Sequence, residues 1–135
     1  MSRPALVDSC VIIGLLRAGL DPAVELLCHA GNTELATCGM VRMEVLRGVI
    51  QPKAKRAVER FFDVMRPVGT DSIIWQEAAD LAWRLDREGW TLPTQDILIA
   101  ACALRIGAAV FTHDKHFRVV PGLSVISSLE ELEEW

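Results

Sequence analysis

Five short, mostly apolar runs alternate along this chain with longer segments of helical periodicity, and this alternation constrains the fold more than any other feature. Each run has the length of a short buried strand. The candidate strands are residues 5–7, 34–37, 64–68, 109–111 and 124–126. Strands that alternate with helices imply a parallel sheet, because parallel neighbours need a long and usually helical crossover connection. The sequence therefore predicts a three-layer α/β fold in which helices flank a short, mostly parallel sheet.

The segments between and after these runs have helical patterns. They are residues 10–17, 23–29, 40–49, 52–60, 71–88, 95–105 and a last helix that ends at Trp135. Segment 71–88 is the longest amphipathic one, with apolar residues spaced three and four apart. Segment 95–105 is apolar almost all round, which predicts a buried helix.

Three places carry residues that are typical of helix N-caps. Ser9 can cap the first helix, and Thr94 can cap the apolar helix. Ser127 and Ser128 are each followed three residues later by a Glu, which is the capping-box spacing and predicts the start of the last helix.

Length and composition predict a globular protein in a reducing compartment. The 135 residues correspond to one domain, residues 1–135, and 51% hydrophobic residues exclude intrinsic disorder. No apolar stretch reaches the roughly 18 residues of a membrane span, and Asp8 interrupts the apolar region that a signal peptide would need. None of the four cysteines belongs to a C-x-x-C pair, so we expect buried free thiols. A cytoplasmic location follows as the expectation.

The charge of the chain is unevenly distributed. The formal net charge is −4, which excludes a uniformly basic nucleic-acid binder. Residues 130–135 contain four Glu and no base, whereas residues 42–66 contain seven bases and three acids, a net of +4. The bases of segment 52–60 therefore predict either a face that follows an RNA backbone or an ordinary solvated helix face.

Four carboxylates lie in apolar surroundings, where solvated surface charge is not expected. They are Asp8, Glu44, Asp96 and Asp114. Asp8 directly follows the first strand and Asp114 follows the fourth after two residues, so both are predicted at the carboxyl edge of the sheet, where α/β folds bind ligands. Carboxylates in such surroundings are costly unless they are paired, hydrogen-bonded or metal-bound. Their convergence would form a site for a hard cation, Mg²⁺ or Mn²⁺.

Each acid also has a purely structural explanation. Asp8 can be a helix cap, Glu44 can pair with Arg47, Asp96 can complement a helix dipole and Asp114 can be a turn residue. These explanations do not account for two acids closing strands while a third opens a buried helix. The metal site is therefore the favoured prediction.

Four motifs in order resemble the PIN-domain family, and within it the VapC-like toxin ribonucleases of type II toxin–antitoxin pairs. They are LVDS at 6–9, EVLRG at 44–48, DILIAACA at 96–103 and THDKHF at 112–117. The resemblance covers nearly the whole chain. It implies a PIN-like fold and an endoribonuclease that depends on Mg²⁺ or Mn²⁺. It also implies a cognate antitoxin as partner and a homodimer built partly from segment 71–88.

The same resemblance assigns roles to individual residues. Asp8, Glu44, Asp96 and Asp114 match the acidic quartet of the family, and Ser9 and Thr112 match hydroxyl positions that support it. The chemistry agrees, because one or two Mg²⁺ ions can activate water, relieve phosphate charge and stabilise the leaving oxygen of a phosphodiester. Whether one or two ions act stays open. Candidate contacts to substrate phosphate are Arg42, Arg47, Lys115 and His116.

Other interpretations remain as alternatives. His113 and His116 have an H-x-x-H spacing, but no cysteine pair or third histidine is near in sequence, so zinc is not favoured. Cys10 is expected to pack in the core rather than act as a nucleophile. The alternative functions are an RNA-processing PIN nuclease outside a toxin–antitoxin pair, a catalytically silent PIN scaffold, and a receiver-like signalling domain with an acidic pocket.

Overall fold

A single parallel sheet organises the fold in the computed structural model, which describes residues 3–135. Its strands are β1 (Ala5–Val7), β2 (Leu35–Cys38), β3 (Arg66–Val68), β4 (Ala109–Phe111) and β5 (Val125–Ile126). The order is β3-β2-β1-β4-β5, and every neighbouring pair is parallel. Leu6 in the central strand pairs with Ala36 on one side and Val110 on the other. The predicted α/β fold is confirmed.

Helices flank this sheet. They are α1 (Ser9–Arg17), α2 (Pro22–Ala30), α3 (Gly39–Arg47), α4 (Pro52–Val64), α5 (Ser72–Arg87), α6 (Thr94–Arg105) and α7 (Leu129–Glu134), with a short 3₁₀ helix at Lys115–Val119. The chain builds β2 and β3 on one side of β1 and then crosses to β4 and β5 on the other. The strand order thus reverses between β1 and β4, and in parallel α/β sheets ligands bind beyond the carboxyl ends of the strands at such a point.

The helix faces agree with the predicted patterns. Residues 97–103 of α6 are all buried, which confirms the prediction from the apolar segment. On α5 the buried residues are Ile74, Ala78, Leu81 and Leu85, spaced three and four apart. At the N-terminus of α7, Ser128 Oγ accepts a 3.1 Å hydrogen bond from Glu131 N. The Glu131 carboxylate in turn accepts a 2.9 Å hydrogen bond from Ser127 N, so the two bonds cap this end of the helix reciprocally.

Two predicted caps are wrong by one residue. Asp8, not Ser9, is the N-cap of α1, because its Oδ1 accepts the Ser9 amide at 2.8 Å. Helix α6 begins at Thr94 rather than after it, and its N-cap is Pro93, which makes no side-chain cap bond. The Pro93 carbonyl instead accepts the amides of Asp96 and Ile97 at 3.0 and 3.1 Å.

The observed bounds of one helix and one strand differ from the predicted bounds, because tertiary packing extends the helix. Helix α4 continues to Val64 rather than ending near residue 60, because Val58, Phe61 and Phe62 form a buried stripe at helical spacing. The strand predicted at 64–68 therefore starts only at Arg66.

All four cysteines are free thiols, as predicted, but they are not all buried. Cys38 and Cys102 lie in the core, whereas Cys10 is half-buried and Cys28 is exposed. Across residues 3–135 no helix combines the length and the apolar character needed to cross a membrane.

Candidate active site

Asp8 lies at the carboxyl end of the central strand and is 5% exposed. Its Oδ1 accepts the Ser9 amide, and its Oδ2 accepts a 2.8 Å hydrogen bond from Thr112 Oγ1. Thr112 directly follows β4, so the parallel pairing of β1 with β4 brings the two side chains together. Both carboxylate oxygens are therefore held in place, although the group is almost completely removed from water.

Asp114 follows Thr112 and is held by it. Thr112 Oγ1 accepts a 3.0 Å hydrogen bond from the Asp114 amide while it donates to Asp8. Asp114 is also the N-cap of the 3₁₀ helix, where its Oδ1 accepts the His116 amide at 2.9 Å. One hydroxyl thus holds the Asp8 carboxylate and the backbone of Asp114 at the carboxyl edge of the sheet.

Glu44 reaches the site from α3. Its Oε1 accepts a 3.3 Å hydrogen bond from Ser9 Oγ. Burial raises the pKa of the Glu44 carboxyl, and the nearby charge of Asp8 raises it further, against the lowering effects of Ser9 and Arg47. Glu44 therefore lies close enough to Asp8 for the two charges to repel each other.

Asp96 enters from the first turn of α6, with a side chain that is 16% exposed. Its pKa is raised to about 6, chiefly by burial and then by the charges of Asp8, Asp114 and Glu44, against a lowering effect of His116. A carboxylate that only complemented a helix N-terminus would have a lowered pKa. The four acids predicted from sequence thus come together, and the other three add to the negative potential at Asp96.

His116 joins this cluster from the 3₁₀ helix. Its Nδ1 lies 3.1 Å from Asp114 Oδ1 and 4.0 Å from Asp96 Oδ2. One ligand atom from each of Asp96, Asp114 and His116 lies within 4.8 Å of the others. These donors fit a divalent cation, since carboxylate oxygens and an imidazole nitrogen converge on one small volume.

Sequence reasoning missed Cys10 as a member of the site. Its Sγ lies 3.4 Å from both Asp8 Oδ2 and Thr112 Oγ1, and it accepts the His113 amide at 3.5 Å. Burial raises the pKa of the Cys10 thiol, which keeps it neutral beside the acids. The available signal was its position two residues after Asp8, on the first turn of α1.

The residues predicted to contact substrate phosphate differ in where their side chains lie relative to the acids. Arg47 lies near enough to Glu44 for its positive charge to lower the pKa of that carboxyl. Arg42 instead turns towards α4, where its Nη1 pairs with Asp63 at 3.3 Å and its guanidinium lies over the Phe62 ring. Lys115 starts the exposed 3₁₀ helix beside Asp114.

Two adjacent apolar grooves, here together called the trench, share lining residues on α1 and α4. One part, about 370 Å³ in volume, lies between α1, α2 and α4 and is lined by residues that include Leu16, Leu27 and Ala54. A second part, about 580 Å³, shares Leu16 and Ala54 with the first and extends to Glu44. The second groove therefore reaches the acidic cluster at Glu44.

Comparison with known proteins gives consistent matches. The sequence model of the PIN domain matches residues 5–123. The chain is 28% identical over 127 residues to Ribonuclease VapC4 of Mycobacterium tuberculosis, covering 93% of this chain and 97% of that protein. It is 30% identical over 120 residues to Ribonuclease VapC11 of Mycobacterium tuberculosis, covering 85% and 90%.

Solved structures share the fold at lower identity. VapBC2 from Rickettsia felis, bound to a DNA fragment from its promoter, superposes with a TM-score of 0.75 at 18% identity, covering 90% of this chain and 96% of that one. DNA-bound VapBC from Salmonella typhimurium gives a TM-score of 0.74 at 19% identity, covering 93% and 97%.

Proposed function

The chain belongs to the PIN-domain family, and on this premise we propose that it is an endoribonuclease and the toxin of a type II toxin–antitoxin pair. We propose that residues 1–135 act as one domain in the cytoplasm. The observation that carries the proposal is the convergence of four carboxylates at the switch point of the sheet, where burial and mutual repulsion raise the pKa of Asp96 to about 6. A bound divalent cation would offset this repulsion.

We propose Mg²⁺ or Mn²⁺ as the cofactor of this site. The residues that would hold it are Asp8, Glu44, Asp96 and Asp114. Bound there, the ion would supply activation of water and relief of charge on the phosphodiester. The fit rests on the donor set, because hard divalent cations prefer charged oxygens.

The chain's own groups position the carboxylates. Thr112 holds Asp8 by a hydrogen bond and holds the backbone of Asp114 by a second one. Ser9 holds Glu44 in the same way. These two hydroxyls restrict the rotamers of the acids, so little reorganisation is needed when the site is used.

Substrate contacts are assigned to bases at the rim. Three basic side chains lie beside the acids and can bind phosphate oxygens of RNA: Arg47, Lys115 and His116. Arg42 is a weaker candidate, because it pairs with Asp63. The bases of α4 would extend the same electrostatic attraction to a longer strand.

The trench fits an antitoxin. Its apolar part can take the apolar face of a helix, and its second part leads an extended tail towards Glu44. A basic side chain on that tail would meet the negative potential of the acids. We propose that the cognate antitoxin inhibits the enzyme by this route.

We propose a homodimer built partly from α5. Helix α5 exposes Trp75 by 50% and Trp83 by 61% of their surfaces. Large exposed aromatic side chains on one helix are typical of protein interfaces.

The proposed reaction is tested by cleavage of RNA with Mg²⁺, with Mn²⁺ and with a chelator. We expect cleavage only with metal, and a loss of about 100-fold or more in Asp8→Asn, Glu44→Gln, Asp96→Asn and Asp114→Asn. Asp80→Asn is the matched control, because Asp80 is an exposed acid of α5 whose carboxylate accepts a hydrogen bond from Gln76 one turn away. Full activity in the doubly substituted Asp8 and Asp96 variant would refute the site.

A further inference from the structure

Asp96, Asp114 and His116 form a mixed nitrogen and oxygen donor set at one end of the acidic cluster. The imidazole Nδ1 lies 3.1 Å from one carboxylate oxygen and 4.0 Å from another. Bonds of about 2.0–2.1 Å to a metal separate neighbouring ligand atoms by about 3 Å and opposite ones by about 4 Å. The two separations from His116 Nδ1 thus match neighbouring and opposite ligands of one small cation, and all three donor atoms lie within 4.8 Å of one another.

We propose that His116 Nδ1 is a metal ligand, and that with Asp96 and Asp114 it binds a first-row transition ion in preference to Mg²⁺. The inference rests on the proposed function only in using the same acidic site. His116 adds a nitrogen ligand to carboxylate oxygens, and this nitrogen determines which divalent ions bind the site most tightly.

The chemistry of the donor atoms explains why a transition ion should bind more tightly than Mg²⁺. Mg²⁺ favours oxygen ligands and retains several waters, so an imidazole contributes little to its binding. Nitrogen ligands favour the later first-row ions, and affinity rises from Mn²⁺ through Co²⁺. Removing His116 should therefore weaken Co²⁺ binding while leaving Mg²⁺ binding nearly unchanged.

The position of the ring supports a ligand role. The side chain of His116 is 59% exposed, so an incoming ion can reach it, whereas Asp96 is largely enclosed. His113, two residues after the end of β4, has a different environment, with its ring edge-on to Phe111 at 6.2 Å between centroids. His113 therefore provides a matched control three residues away.

The first experiment measures binding of the metal alone. Wild type, His116→Gln and His113→Gln are titrated with CoCl₂ by visible absorption, and with MgCl₂ by calorimetry. Loss of a partner that only orients a ligand typically costs 10–100-fold in affinity, so loss of a ligand should weaken Co²⁺ binding by at least about tenfold. We expect this loss in His116→Gln, no loss in His113→Gln and less than about a threefold change for Mg²⁺.

The second experiment identifies the nitrogen. Zn²⁺, which is diamagnetic, is added to ¹⁵N-labelled protein, and we expect the Nδ1 resonance of His116 to shift while that of His113 stays in place. An unmoved His116 resonance at saturating Zn²⁺ overturns the proposal. Equal weakening of Co²⁺ and Mg²⁺ in His116→Gln also overturns it, because the ring would then act only as an ion-pair partner of the carboxylates.

The outcomes separate this inference from the proposed function. If His116→Gln binds Co²⁺ like wild type while Asp96→Asn still abolishes RNA cleavage, the nitrogen ligand is refuted and the nuclease stands. If Asp96→Asn cleaves RNA at the wild-type rate while His116→Gln loses Co²⁺ selectively, the nuclease site is refuted and the nitrogen ligand is supported.

Discussion

Thr112 Oγ1 donates a 2.8 Å hydrogen bond to Asp8 Oδ2, which joins the ends of β4 and β1 across 104 positions of sequence. The threonine is 1% exposed and the aspartate 5%. The bond satisfies a charged oxygen that water scarcely reaches, and the same hydroxyl also accepts the Asp114 amide. A single side chain therefore couples the stability of the sheet edge to the placement of two acids.

Replacing Thr112 with Val tests this coupling. The substitution keeps the shape but leaves an oxygen of the buried Asp8 carboxylate without this donor, so we expect about 1–3 kcal/mol less free energy of unfolding. RNA cleavage should fall with it, because Asp8 and Asp114 lose their common support. Urea denaturation and an RNase assay measure the two effects. Thr112→Ser retains the hydroxyl and should restore both, and a Val variant with wild-type stability and activity would contradict the role.

Asp96 is predicted to destabilise the metal-free protein at neutral pH. Its folded-state pKa of about 6 lies above the ordinary aspartate value of 3.8. An acid with a raised folded-state pKa favours the fold when protonated, so its penalty is absent below about pH 4, grows between pH 4 and 6, and is complete above that window. Stability measured in chelator should therefore rise as pH falls from 6 to 4.

Asp96→Asn removes this charge at nearly constant shape. In chelator at pH 7 we expect the variant to melt roughly 3–5 °C above wild type, about 1 kcal/mol after discounting the two-unit shift for contact with solvent. Its gain from Mg²⁺ should shrink, because the ion binds the folded site and not the unfolded chain. Thermal melts of both proteins and of the Asp80→Asn control measure this. A lower melting temperature with an undiminished Mg²⁺ shift would remove Asp96 from the metal site.

Leu27→Glu should release the enzyme from its antitoxin. Leu27 lines the apolar part of the trench, and a buried unpaired charge there would weaken a docked helix by at least about tenfold in Kd. RNA cleavage should stay at the wild-type level. Val24→Glu is the control, since Val24 is a similarly exposed residue of α2 outside the trench lining. Calorimetry with the antitoxin of the adjacent gene measures binding, and equal loss in both variants would place the antitoxin elsewhere.

Trp75→Glu should prevent formation of the proposed homodimer. Trp75 lies beside small residues of α5, where a second copy could approach closely. Light scattering at tens of micromolar should give a dimer for wild type and a monomer for the variant. Trp90→Glu, at an equally exposed tryptophan beyond α5, should remain dimeric. A wild-type monomer at that concentration would refute the prediction.

Local patterns were sufficient to predict most elements. Strand β4 has the predicted bounds, and α5 differs from the predicted segment 71–88 by one residue at each end. Both follow from signals within a few residues, namely an apolar run bounded by polar residues and apolar positions three and four apart. Helix α4 continues past its predicted end at residue 60, because Phe61 and Phe62 extend the buried stripe that begins at Val58, and that burial is a matter of tertiary packing.

The sequence by itself determined that acids would close β1, follow β4 and open the buried α6, because strand ends and helix starts are local features. Only the tertiary structure decided how their side chains meet. The order β3-β2-β1-β4-β5 sets Thr112 against Asp8. The packing of the helices pairs Arg42 of α3 with Asp63 of α4, and Cys10 and His116 come to lie beside the acids. The physical reason is that periodicity fixes which face a residue occupies, whereas contact between residues a hundred positions apart depends on the pairing of strands and the direction of each side chain.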